Sequence, residues 1–245
     1  MTVPEIVRKL KKQRNQANID GMIRFGIKPK IEPMGITMPV LRTLSKEIKH
    51  THPQPQERHQ LALELWKTGF YEARLIAAFI EDPKLVTEKQ MESWVADFDN
   101  WAICDTVCGA VFDKHPLAYQ KALEWTKRPE PARNASQSDA GGEYIKRAGF
   151  VLMAWMSVHN KNLKDSEFYP FLKAIKREAT DERNYVRKAV NWALRQIGKS
   201  RNQVLNKLAI KYAQEIYQLD NKTAKWIASD ALRELKSPAI QKRFR

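Results

Sequence analysis

Asp97-Phe-Asp-Asn-Trp101-Ala-Ile-Cys-Asp105-Thr-Val-Cys-Gly-Ala-Val-Phe112 is the stretch on which the reading of the chain turns. It predicts a helix, with Asp97 or Asp99 as the N-cap whose carboxylate accepts orphan backbone N–H groups. From Trp101 onward Asp105 is its one ionic side chain. At about 100° per residue, Trp101, Asp105, Cys108 and Phe112 share a face, and Ile103, Val107 and Ala110 line the opposite one. A helix apolar nearly all round is packed on both sides. A lone carboxylate on it costs on the order of several kcal/mol unless it is paired or faces a cleft. Asp105 is therefore either structural, capping a helix or pairing a buried Arg, or functional, with Trp101 as a wall one turn before it.

Helical periodicity extends outward in both directions. Residues 4–26 predict one or two helices with Arg8, Lys9, Lys11, Lys12 and Arg14 outside, followed by a Pro/Gly-punctuated connection over 26–35. Thr37 caps the next helix with Pro39 in its first turn, and Leu41, Leu44 and Ile48 follow at helical spacing. Further helices are marked by Leu61–Trp66, Tyr71–Ile80 and Gln90–Ala96, the last entered at Thr87. Beyond the opening stretch come Leu117–Lys127, Glu143–Ser157, Phe168–Ala179, Tyr185–Gly198, Val204–Tyr217 and Thr223–Leu235. Residues 129–142 are rich in Pro, Ser, Asn and Gly and read as a mobile insertion. No alternating Val/Ile/Thr-rich strand is present. The pattern predicts an all-α chain of antiparallel helix pairs forming one domain over 1–245, a curved solenoid of HEAT-like repeats with a concave face. A compact irregular all-α domain is the structural alternative.

Charge narrows the partner. The formal net charge is +15 and is uneven. Residues 1–30 hold eight Lys/Arg against two acids and 161–245 hold 20 against nine, while the middle has 15 against 17. Basic ends around a near-neutral centre suit a polyanion, phosphate backbone being the commonest. The two cysteines, Cys104 and Cys108, sit four apart, too few for a disulfide framework or a zinc site, which points to a reducing compartment. With no apolar signal region and no membrane-length apolar run, the expectation is a cytoplasmic protein away from membranes. No phosphate-binding loop or dinucleotide fingerprint occurs, so no nucleotide cofactor is expected. His50, His52 and His59 lack accompanying Cys or carboxylate ligands, and no metal is expected. The zinc deaminase signature is absent as well.

A second signal lies in Tyr185-Val-Arg-Lys-Ala-Val-Asn-Trp-Ala-Leu-Arg-Gln-Ile-Gly198. Val186, Ala189, Val190, Ala193, Leu194 and Ile197 form its core stripe. Trp192 lies off it, on a face shared with Tyr185, Lys188, Arg195 and Lys199. Rings among cations suit nucleic acid; packing against a neighbouring helix is the other explanation. Arg147, at the margin of the stripe Tyr144, Ala148, Val151 and Trp155, either pairs Asp105 or clamps a phosphate.

Together these residues resemble those of the AlkD-type DNA glycosylases, the HEAT-like-repeat alkylpurine glycosylases of bacteria. The resemblance runs from Met34–Arg42 to Trp226–Arg233 and is most specific over Asn100–Asp105, Tyr144–Arg147 and Val186–Arg195. It implies a catalytic role for Asp105, with Trp101 and Trp192 lining the cleft and Arg147 serving activity. It also implies excision of 3-methyladenine and 7-methylguanine from double-stranded DNA without flipping the base into a pocket. On that basis Trp101 and Trp192 hold the deoxyribose, and Arg147, Lys188, Arg195 and Lys199 hold flanking phosphates. The 129–142 insertion departs from the family pattern, as does Phe25, which stands where the family can place a DNA-facing tyrosine. The expected state is a monomer, and the rival function is a non-catalytic HEAT-like nucleic-acid-binding or scaffold protein.

Overall fold

A computed structural model describes residues 1–128 and 140–244. Among these the regular structure is helical, with fourteen α-helices, a few short 3₁₀ turns and no strand. The chain divides into two compact units, Met1–His115 and Pro116–Arg245.

The first unit contains α1 (Val3–Lys12), α2 (Gln16–Arg24), α3 (Met38–Thr51), α4 (Pro55–Lys67), α5 (Tyr71–Ile80), α6 (Glu88–Ala96) and α7 (Trp101–Ala110). Its hub is α5, packed against α3, α4 and α7 and buried along almost its whole length from Tyr71 to Ile80. The small residues Ala73, Ala77 and Ala78 let the neighbouring helices approach it closely. Beside it lies an aromatic cluster in which Trp66 stacks on Trp94 (4.0 Å, 3°), with Phe98 and Phe112 completing the group.

The second unit contains α8 (Ala118–Trp125), α9 (Ala140–His159), α10 (Phe168–Arg177), α11 (Asn184–Ser200), α12 (Gln203–Tyr217), α13 (Lys222–Leu235) and α14 (Pro238–Gln241). Here α11 is the hub, packed against α9, α12 and α13, and its buried residues include the six of the core stripe read from the sequence. Buried asparagines tie these helices together. Asn191 donates to the Ile227 carbonyl at 3.1 Å and Asn206 to that of Gly198 at 2.8 Å. The predicted 129–142 insertion lies outside the described residues over 129–139, and α9 already begins at Ala140.

The opening stretch needs two corrections. The N-cap of α7 is Asn100, whose side-chain oxygen accepts from the Ala102 and Ile103 N–H groups at 3.0 Å each, not Asp97 or Asp99. Both aspartates are otherwise engaged. Asp97 accepts from the Trp66 indole and from Arg74, and Asp99 accepts from the Lys30 amide. The helix also stops at Ala110, so Phe112 sits in a 3₁₀ turn within the aromatic core, and Cys108 is fully buried. Of the four residues placed on one face, only Trp101 and Asp105 are partly open to solvent.

Candidate DNA-processing site

The nine site residues fall into two groups, one in each unit. In the first, α7 presents Trp101 and Asp105 one turn apart, both half-buried, while Ile103, Cys104, Val107 and Cys108 anchor the helix inward. Burial, with Cys104 beside it, pushes the Cys108 thiol well above its ordinary value, so it stays protonated and unreactive. The Trp101 indole N–H donates to the Phe25 carbonyl at 3.0 Å, and the Lys30 amide donates to Asp99 at 2.6 Å. The 25–30 connection is thus stitched at both ends to the start of α7. Phe25 closes α2 as its C-cap, and Gly26 (φ 76°) follows in the left-handed region that glycine adopts without a Cβ clash. Phe25 is 77% exposed.

In the second unit, Trp192 is half-buried and meets Trp155 of α9 edge-on at 5.5 Å, while Trp155 stacks on His159. Packing against a neighbouring helix therefore accounts for part of its position off the core stripe. Lys188 is exposed, with its ammonium 5.8 Å from the Tyr185 ring. Arg195 pairs with Glu234 at 2.9 Å and approaches Asp230 at 3.5 Å; Lys199 takes the other Glu234 oxygen at 2.7 Å. Partial burial pushes the Glu234 carboxyl up, but Lys199 and Arg195 outweigh it and hold it below its ordinary value. Both cations read as phosphate ligands thus already have carboxylate partners on α13.

Arg147 lies deeper than a helix margin. It is 6% exposed and donates to the Tyr185 carbonyl at 2.7 Å. The Tyr185 amide in turn donates to Glu143 at 2.8 Å, and the Tyr185 ring rests against Tyr144. Arg147 thereby ties α9 to the start of α11, three residues before Lys188.

Several structural residues escaped the sequence reading. Lys146, next to Arg147, is buried between Glu178 (2.5 Å) and Asp181 (3.3 Å), and Arg183 also pairs Asp181. In the first unit the buried Glu72 accepts from the amides of Met34 and Gly35 at 2.7 and 2.8 Å. Lys146 and the 34–35 backbone lie far away in sequence from the carboxylates they meet, and the pairing is invisible until the chain packs. No described helix is long and apolar enough to cross a membrane. Among the described residues no cluster of His, Cys, Asp and Glu could hold a metal ion.

A helical-repeat protein with an aromatic-flanked carboxylate and separate aromatic–cation surfaces is the class these two units define. The chain belongs to the DNA alkylation repair enzyme family, whose model matches residues 6–235. A solved structure described as "a new family of proteins related to the HEAT-like repeat DNA glycosylases with affinity for branched DNA structures" aligns with a TM-score of 0.71. At 20% identity it covers 96% of this chain and 95% of its own, so the likeness shows the fold to be HEAT-like. Among curated proteins no sequence matches the chain.

Proposed function

We propose that this protein is a DNA glycosylase that excises positively charged N-alkylated purines, 3-methyladenine and 7-methylguanine, from double-stranded DNA as a monomer. The observation that carries the reading is Asp105, a half-buried carboxylate held on an apolar helix one turn from Trp101, in a chain of the DNA alkylation repair family.

A cationic alkylpurine is already a good leaving group. The electron pair of the C1′–N bond departs with the base and neutralises it, leaving positive charge on the sugar. Asp105 stabilises that oxocarbenium character and accepts the proton of the water that bonds to C1′. Trp101 shields the carboxylate from bulk water on one side, which strengthens its field. Trp192 and Lys188 offer a ring and a cation to sugar and phosphate, and Arg147 positions the Tyr185 turn from which they extend. The direct test is release of free methylated base from alkylated duplex DNA, with and without EDTA. No release would overturn the reading, and so would activity that requires an added divalent ion.

A second reading has its own support. The similar solved structure is described as having affinity for branched DNA. A protein that grips DNA junctions without excision fits that description. Tight binding to a junction with no base release would favour it.

A further inference from the structure

Within the first unit, α2, the 35–38 segment and α5 enclose an open cavity of about 560 Å³. Its walls are mostly apolar, with Met22, Phe25, Ile27, Ile36 and Leu75 among them, and its volume falls in the range of small-molecule sites. Three features distinguish it from a packing fault. Gly21 lines it, and a Cβ built there meets nothing within 4 Å, so the space continues down to the α2 backbone. Tyr71 lines it too, and although it is only 7% exposed, its hydroxyl makes no hydrogen bond with any described group. Burial, together with Glu72 and Asp99, pushes that phenol above its ordinary value, so it stays a protonated donor. The third feature is the rim. Phe25, its exposed edge, is fixed to Trp101 through its own carbonyl, and Arg24, Lys28 and Lys30 flank it in sequence.

The Tyr71 hydroxyl is not one of the fully buried, unsatisfied polar atoms, so it keeps surface open and can bond a group that enters the cavity. An apolar slot with an aromatic edge and a few polar side chains, Tyr71, Asn18 and Thr37, fits a flat heterocycle carrying hydrogen-bonding atoms, and the cations next to Phe25 in sequence suit phosphate on either side of it. We infer that this cavity receives an unpaired nucleobase of DNA, stacked on Phe25 and hydrogen-bonded by the Tyr71 hydroxyl. The inference rests on the DNA-binding part of the function proposed above and adds a base-holding subsite at the edge of the α7 site. It gives the protein a preference for DNA in which a base is already displaced, at a bulge, a flap or a branch.

Two variants test it without disturbing the fold. Gly21→Leu places a side chain in open space and improves a helix position, filling the slot. Tyr71→Phe removes an oxygen that no described group uses. The probe is a duplex with one extrahelical 2-aminopurine, compared with the same duplex fully paired. Wild-type protein should bind the bulged duplex at least about fivefold more tightly, the size of one base–aromatic stack, and quench its fluorescence. Both variants should lose the preference and the quenching while binding paired duplex as wild type does. Equal wild-type affinity for the two duplexes would overturn the subsite and leave the DNA reading standing, as would a preference that survives Gly21→Leu. Failure of the wild type to bind either duplex would overturn both.

Discussion

Arg195 and Glu234 form an ion pair at 2.9 Å, and the carboxylate's other oxygen takes Lys199 at 2.7 Å, so one acid bridges two cations spaced four residues apart on α11. A phosphate arriving on this face must compete with Glu234. Glu234→Gln should therefore tighten duplex binding at low salt. It should also steepen the slope of log K against log salt by about one to two units, near 0.9 for each cation released. Salt titrations of both proteins check this. An unchanged slope would place DNA on another face and leave Arg195 and Lys199 a structural role.

Asp105→Asn keeps the shape of the side chain and removes its charge. With Asp105 as the anion of the transition state, base release should fall by on the order of 10²-fold or more, while binding to undamaged duplex holds or tightens slightly. Thermal melting should stay near that of wild type. A structural ion-pair role for Asp105 would instead cost about 3–5 kcal/mol of stability. Wild-type excision by the variant would remove Asp105 from the mechanism.

The same substitution should act with opposite sign at two helical glycines. Gly21→Ala meets open space and should stabilise α2 by about 0.5–1 kcal/mol. Gly149→Ala brings a Cβ within 2.8 Å of the Ala122 carbonyl and of the Thr126 side chain, where α8 and α9 touch, and should destabilise by about 1–3 kcal/mol despite the gain in helix propensity. Denaturant midpoints of the two variants decide it.

Asp181 gives a pH prediction. Burial pushes its carboxyl up, but the Arg183 guanidinium and the Lys146 ammonium outweigh it, and the group sits below its ordinary value of 3.8. The folded state thus binds this proton less readily than the unfolded one. Its contribution is fully present above the ordinary value and is lost as pH falls through the lower folded value. Asp181→Asn should reduce stability at neutral pH and flatten the acid limb below about pH 4, where wild type and variant converge. Urea melts at pH 7 and near pH 3 measure both. An identical acid limb would show that Lys146 and Arg183 are satisfied without Asp181.

Helix content and the core stripe of α11 were legible because 3.6-residue periodicity is a local property of the chain. The cap of α7 was not, since Asp97, Asp99 and Asn100 are all competent caps. Which of them serves depends on Trp66, Arg74 and Lys30, far away in sequence. That Trp101 and Asp105 share a face one turn apart was legible because i, i+4 spacing is local; that Cys108 and Phe112 on the same face are buried was not. The engagement of Arg195 and Lys199 was not legible either, because Glu234 meets them only when α13 packs against α11. Tyr71 looked like one more apolar position on a helix buried all round, and only the packed chain leaves its oxygen without a partner.

The bond from the Trp101 indole ends on the backbone of residue 25 rather than on its side chain. Every amino acid supplies that same carbonyl, so the anchor of the tryptophan is indifferent to what stands at position 25. The ring of Phe25 is therefore open to exchange for a tyrosine, a leucine or a cation while Trp101 stays moored. In a lineage of such proteins, the side chain at this edge is free to vary while the start of α7 keeps its mooring.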